Sequence, residues 1–321
     1  MNRVSTNGSF QSALLSLMTA QSRAQQAQER IDSEKIATDM AGYGRGAEQL
    51  TSLTSTQARL EGFINTGKTV AARLSAQDLA LTRIYEGGTA AREAIATGLA
   101  AGNITNLMTE LGLQYQTVQG GLNAEHQGSY LFAGGQGNVA PATAATMADL
   151  AAAPSTASTF ANDTLKQKSR IDEKTTVETG FLASEIGGPL TQVFRNIQAF
   201  QNGTPVTVNG VTYTPTAAGT LTGQPNTDVA AFLKAQLAEL DKANVGLTDQ
   251  TAKNGLMQNH VDAALDSQQS QKTVLKKMMQ DKSGYDSAQA ITDLRQAQVA
   301  IEASAQVINT LKNTSLLNLL R

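Results

Sequence analysis

Cysteine and tryptophan are absent from the chain, and aromatic residues of all kinds make up only 4% of it. Without cysteine there is no disulfide framework, no thiol nucleophile and no thiolate metal ligand. That composition suits a protein that must stay unlinked and unreactive while it passes unfolded through a narrow channel, although it names no compartment. So few aromatics argue against one large globular interior. Charge is scarce as well, at 16%, and nearly balanced, with a formal net charge of −2. A nucleic-acid surface needs clustered Lys and Arg, and the longest basic run is Lys276-Lys277. Nucleic acid is therefore not an expected partner. No segment approaches the ~20 uninterrupted apolar residues of a membrane span, and the first residues lack the charged lead and apolar block of a secretory signal. The chain reads as soluble, with no membrane partner.

What is present is Ala, Gln, Ser and Thr, arranged at helical steps. Near the start, Phe10, Leu14, Leu17, Ala20 or Gln21, Ala24 and Ile31 recur on one stripe; near the finish, Leu294, Ile301 and Ile308 fall seven apart, with Ala297 and Ala305 between them. Each stripe is narrow and poor in large side chains, so neither helix can bury enough apolar surface alone. The expected partner of each terminus is the other one. Even paired, they should be marginal in a lone subunit, and further copies of the same chain are the expected source of the missing stability, giving a ring or polymer.

Between the ends the pattern changes twice. A first helix from about Phe10 to Met40 stops at Gly42-Tyr43-Gly44-Arg45-Gly46, where Gly42, Gly44 and Gly46 predict a hinge. A long apolar periodicity follows, from Leu50 to Ile84, weakened at Gly87-Gly88 and Gly102 and resumed from Leu107 to Leu122. After Gly128 the chain reads as loops and strands, with a low-complexity Ala/Thr/Pro stretch to Ser158. Two hairpins are expected there, one turning at Asp172-Glu173-Lys174 and one at Asn209-Gly210. A helix over residues 184–201 lies between them, its start delayed by Gly187-Gly188-Pro189. Helical period returns from Asp228 to Ser283, as one helix or two, and a last helix runs from about Tyr285 to Leu316. The expected layout is a mainly α rod. Residues 1–44 and 284–321 form a terminal coiled coil, 45–128 and 228–283 an inner helical bundle that the 184–201 helix could join, and 129–227 an exposed strand-rich distal module.

Candidate chemistry is thin. His126 and His260 are the only histidines and are far apart in sequence, so no metal site is expected. Gly42, Gly44 and Gly46 follow a helix, whereas a nucleotide loop follows a strand. Asp281, Asp286 and Asp293 have no apolar pocket to raise a pKa; Asp286, just after Gly284, suits a helix start. Met278 and Met279 read as core or seam. No catalytic residue, cofactor or metal is expected, and the chemistry of the chain is assembly. The assembly seam is assigned to Phe10, Leu14, Leu17, Ala24, Ile31, Leu294, Ile301, Ile308 and Leu316.

Three strings carry a family resemblance. Glu29-Arg30-Ile31-Asp32-Ser33-Glu34-Lys35 is similar to the E-R-L/I-x-S/T-G-K near the end of the first helix of flagellin-related axial proteins, with Glu34 where glycine is usual. Leu122-Asn123 with Gly128-Ser129-Tyr130-Leu131-Phe132-Ala133-Gly134 resembles the segment at which the hook-filament junction (FlgL) family leaves its inner bundle; Tyr130, Leu131, Phe132 and Gly134 are its most discriminating part. Ser283 to Leu294, Ala303-Ser304 and Ser315-Leu316-Leu317 are like the shared terminal helix. The family's acidic Asp-Asp-Pro segment is reduced here to Asp39-Met40-Ala41. The resemblance implies a flagellin-like rod and a structural subunit at the hook-filament junction. It also implies export through the flagellar apparatus with a cytoplasmic chaperone, and contacts with the hook-side junction protein and flagellin. A filament-forming flagellin is the alternative within the class; a secreted coiled-coil-stalked adhesin or enzyme is the alternative outside it.

Overall fold

The structure is a computed structural model that describes residues 2–37, 41–284 and 286–317, with side chains over 8–37, 42–44, 46–282, 284 and 286–312. It contains seven α-helices and six short strands among the described residues. They are α1 (Asn2–Ser33), α2 (Ala47–Ala101), α3 (Leu107–Leu122), β1 (Glu125–His126), β2 (Ser129–Tyr130), α4 (Met147–Ala152), β3 (Lys168–Arg170), β4 (Thr176–Glu178), α5 (Ala183–Gln201), β5 (Val206–Val208), β6 (Val211–Tyr213), α6 (Thr227–Ser283) and α7 (Ser287–Leu317). The strands form three separate antiparallel pairs, β1-β2, β3-β4 and β5-β6. The fold is mainly α, with long terminal helices and small hairpins. Two compact units divide it: Met1–Glu61 with Gln269–Arg321, and Gly62–Gln268.

In the first unit α1 packs along α7. The pair is antiparallel: Arg30 meets Asp293 at 3.9 Å near one end, while Leu15 and Ser16 share a groove with Ser304 toward the other. The first helix ends at Ser33, seven residues before the expected Met40, because Glu34 takes a left-handed conformation (φ 54°) that helix cannot continue through. Residues 38–40 lie outside the described residues. The glycine-rich segment is a 3-10 turn over Ala41–Gly46 in which Gly44 alone needs its freedom, at φ 52°, ψ −125°. Downstream, α6 closes at Gly284 (φ 58°), and Asp286 then accepts from the backbone N–H of Ala288 and Gln289 at 2.9 and 3.2 Å to start α7.

In the second unit α2 and α3 form an antiparallel pair closed by Gly102 (φ 64°). The helix runs unbroken through Gly87-Gly88, where weakening was expected. A Cβ on Gly87 would lie 2.7 Å from Val118 Cγ2, and one on Gly121 would lie 2.6 Å from Ile84 Cγ1. Each glycine thus receives a branched side chain of the other helix, and the close packing outweighs the poor helix propensity. The same holds for Gly187, whose missing side chain makes room for Leu122, so α5 runs from Ala183 through Pro189 without the expected delay. α6 is a single helix.

The core of this unit has a small cluster, Val70, Leu74, Ile171 and Val261, and a large one. Leu81, Ile84, Ile95, Leu111 and Leu122 of the helical pair share the large cluster with Phe132, Leu150, Phe194, Val206, Phe232 and Leu240. Phe200 stacks on Phe232 at 4.0 Å, with Tyr213 edge-on at 5.7 Å. The stretch read as low complexity contains α4, started by a reciprocal capping box. Asp149 N donates to Thr146 Oγ1 at 3.2 Å and Thr146 N to Asp149 Oδ2 at 2.9 Å. Met147 and Leu150 of this short helix are buried.

Candidate assembly surface

The pairing of α1 with α7 follows a 3-4 heptad spacing that burial makes visible. On α1 the line is Phe10, Ala13, Leu17, Ala20, Ala24, Ala27 and Ile31; on α7 it is Ala290, Leu294, Ala297, Ile301, Ser304, Ile308 and Leu311. Along α1 the two heptad positions alternate in size, with the buried Ala13, Ala20 and Ala27 at one and the larger, half-buried Leu17 and Ile31 at the other. Ala290 and Ala297 are the corresponding tight positions on α7. Small side chains at one position let the backbones approach, while the larger ones at the other close over the contact.

The structure thus brings Leu17, Ala24, Ile31, Leu294, Ile301 and Ile308 onto one seam, with Phe10 at its edge. Leu14 falls off it: at 100° per residue it points away between Ala13 and Leu17, and it is 43% exposed. With Leu15 (66%) and Met18 (61%) it makes an outward apolar strip on α1, and Val299 (64%) and Val307 do the same on α7. Ala305 is also exposed, and Ser304 takes the inward place. Leu316 lies on α7, but its side chain is outside the described residues. Of the buried alanines, Ala13, Ala27 and Ala290 were missed in sequence because alanine recurs so often there that its spacing carries little contrast.

Beside the seam runs a groove of about 810 Å³, lined on α1 by Thr19, Arg23 and Arg30 and on α7 by Asp293, Gln296 and Ala300. It is open, mixed in polarity and bounded by two parallel-sided helix faces. That shape can seat another helix; it has no convergent set of polar groups for a small molecule. Among the described residues no three His, Cys, Asp or Glu side chains lie close enough to share a metal, and no helix is long and apolar enough to cross a membrane. His126 is half-buried on β1 and His260 is exposed on α6.

The Tyr130-to-Gly134 string serves packing. Leu131, Phe132 and Ala133 are buried; Ala183 N donates to Phe132 O at 2.9 Å and Arg73 Nη2 to Leu131 O at 3.3 Å. It therefore ties α2 to the start of α5. Gly134 (φ 71°) lets the Asp163 carboxylate come under the chain, where Gly135 N and Leu165 N both donate to it at 2.9 Å. These two bonds hold the Asp163 pKa below the ordinary aspartate value. Burial, with the nearby Asp149 charge, pushes the Tyr115 hydroxyl well up, and it donates to Ala144 O at 2.6 Å.

No family model and no curated protein matches the chain. Solved structures do. One, a protein assigned as flagellar hook-associated from Vibrio parahaemolyticus, superposes with a TM-score of 0.57 at 16% identity, covering 74% of this chain and 97% of that one. Another, FlgL of Bacillus cereus, gives a TM-score of 0.53 at 16% identity and covers 71% and 99%. The chain shares the fold of these two structures. At this identity the likeness lies in the fold.

Proposed function

We propose that the chain is a structural subunit of the bacterial flagellum, placed at the junction between hook and filament and held there by homo-oligomeric helical packing. The observation that carries this reading is the terminal pair itself: a heptad seam floored by alanines, flanked by exposed Leu14, Leu15, Met18, Val299 and Val307 and by an open groove. Exposed aliphatic residues in this number on a narrow two-helix pair favour burial against neighbours. The fold shared with FlgL and the Tyr130-Leu131-Phe132-Ala133-Gly134 string support the junction over the filament. In this reading the chain acts by assembly and not by catalysis. It is exported through the flagellar apparatus with a cytoplasmic chaperone, and it contacts the hook-side junction protein below and flagellin above.

The test is Ile301→Asp, which places a carboxylate in the α1–α7 seam. The unit Gly62–Gln268 should keep its folded signature while incorporation into flagella is lost; normal assembly of the variant would remove the seam from the argument. Immunogold electron microscopy separates the two flagellar readings. A junction subunit labels a single band at the hook tip and its loss leaves hooks bare, whereas a flagellin labels the whole filament.

A further inference from the structure

The turn joining β5 to β6 carries chemistry that assembly does not use. Asn209 (φ 49°) and Gly210 (φ 81°) occupy its two central positions, the pattern of a type I′ turn, and both are exposed. Asn-Gly is the pair most open to attack of a backbone nitrogen on its own side chain, because glycine puts no Cβ beside that nitrogen; around Gly210 the space is empty. The Asn209 carboxamide is not free, however. Its Nδ2 donates to Glu239 Oε1 of α6 at 2.6 Å, and the same oxygen accepts from Lys242 Nζ at 2.7 Å.

We propose that Asn209-Gly210 is a self-modifying latch: a deamidation site held in check by Glu239, whose conversion irreversibly releases the β5-β6 hairpin from α6. In the first step Gly210 N bonds to Asn209 Cγ, the Cγ–Nδ2 bond breaks, and ammonia leaves with the proton from Gly210 N, giving a cyclic imide. Water then opens the ring at either carbonyl, leaving an aspartyl or isoaspartyl linkage at position 209. The bond to Glu239 must break before Cγ can turn toward Gly210. Afterwards a carboxylate faces the Glu239 carboxylate where a donor stood, and the isoaspartyl form adds a backbone carbon to a two-residue turn. Either change works against the Val208↔Val211 register and the seating of Val206, Val208 and Tyr213.

The same unit supplies internal references. Asn254-Gly255 lies inside α6 with Asn254 Nδ2 buried on Leu74 O, and at Asn202-Gly203 the Gly203 nitrogen donates to Phe200 O. The full chain and its Glu239→Ala variant would be incubated at mildly alkaline pH and digested. Peptide mapping would then follow the mass gain of NH₂ replaced by OH, with isoaspartate identified by enzymatic methylation. Conversion at position 209 should run about tenfold or more faster in Glu239→Ala, the factor expected for losing one hydrogen bond to a charged group, with positions 202 and 254 unchanged. An equal rate at 209, or uniform acceleration at all three pairs, overturns the proposal. Asn209→Asp should raise amide exchange over residues 206–213 alone; unchanged exchange there would equally overturn the release step.

Discussion

Gly87 offers the sharpest test of the claim that close packing, and not chain flexibility, explains glycine inside these helices. Replacing a mid-helix glycine by alanine gains about 1 kcal/mol of helix propensity when nothing else changes. Gly112 on α3 provides that case, since no atom lies within 4 Å of where its Cβ would stand. Gly87→Ala earns the same propensity but sets its Cβ 2.7 Å from Val118 Cγ2, 3.1 Å from Gln114 O and 3.3 Å from Val118 N. Val118 is fully buried and two of those three atoms are backbone, so no rotamer change relieves the contact. The α2–α3 pair must separate, and overpacking of this kind costs about 1–3 kcal/mol. The net effect of Gly87→Ala is then between neutral and a loss of about 2 kcal/mol, against a gain of about 1 kcal/mol for Gly112→Ala.

Urea unfolding of the full-length chain, followed by far-UV circular dichroism, reads both. With a slope of roughly 1–3 kcal/mol per molar urea, the two midpoints should differ by about 0.3 M or more at unchanged slope. Adding Val118→Ala to Gly87→Ala should recover part of the separation energy by removing the nearest atom, though Gln114 O remains. The reasoning fails if Gly87→Ala raises the midpoint as far as Gly112→Ala does. Gly87 would then be a tolerated weak point in α2 and the two helices could not be as close as described.

Three further outcomes follow from single residues. Glu34→Gly relieves a left-handed conformation costing about 1–2 kcal/mol against about 0.5–1 kcal/mol of added chain entropy, so amide exchange in the last turns of α1 should slow by up to about tenfold. Asp286→Ala removes the cap of α7 and should cost about 1 kcal/mol, read as faster exchange over its first turn only. The Asp163 pKa is depressed in the folded chain, so its bonds to Gly135 and Leu165 are complete above the ordinary aspartate range and are lost as pH falls through the lowered value. The amide resonances of Gly135 and Leu165 should accordingly shift together only below about pH 4.

Much of the fold could be read from the chain because the signals were local. Asn209-Gly210 dictates its turn through two positive φ values, and Asp286 caps α7 through one side chain. What escaped reading depends on neighbours distant in sequence. Gly87 and Gly187 look like breaks until Val118 and Leu122 are seen filling them. Thr146 and Asp149 spell a capping box, but in a stretch whose bland composition hid it. The strings at 130–134 and 29–35 carried the flagellar resemblance without revealing what they do. Burial of Phe132 and the positive φ of Glu34 supply those reasons.

The composition of the seam also bears on why so weak a pairing would be kept. Alanine at 13, 20, 27, 290 and 297 contributes little transfer free energy per residue, so larger side chains at those places would strengthen an isolated pair. They would also push α1 and α7 apart and widen the groove between Arg23 and Gln296. Alanine therefore fixes a close, uniform spacing at the expense of stability in one subunit. Leu15, Met18 and Val299 hold the apolar area that the seam gives up, on the outside of the pair, where only a neighbour can cover it. On the proposed function, a chain built this way gains its terminal order together with its partners. Replacing Ala20 by Leu should on this argument help the isolated pair less than it harms assembly, a difference that proteolysis of the free chain and incorporation into flagella would measure separately.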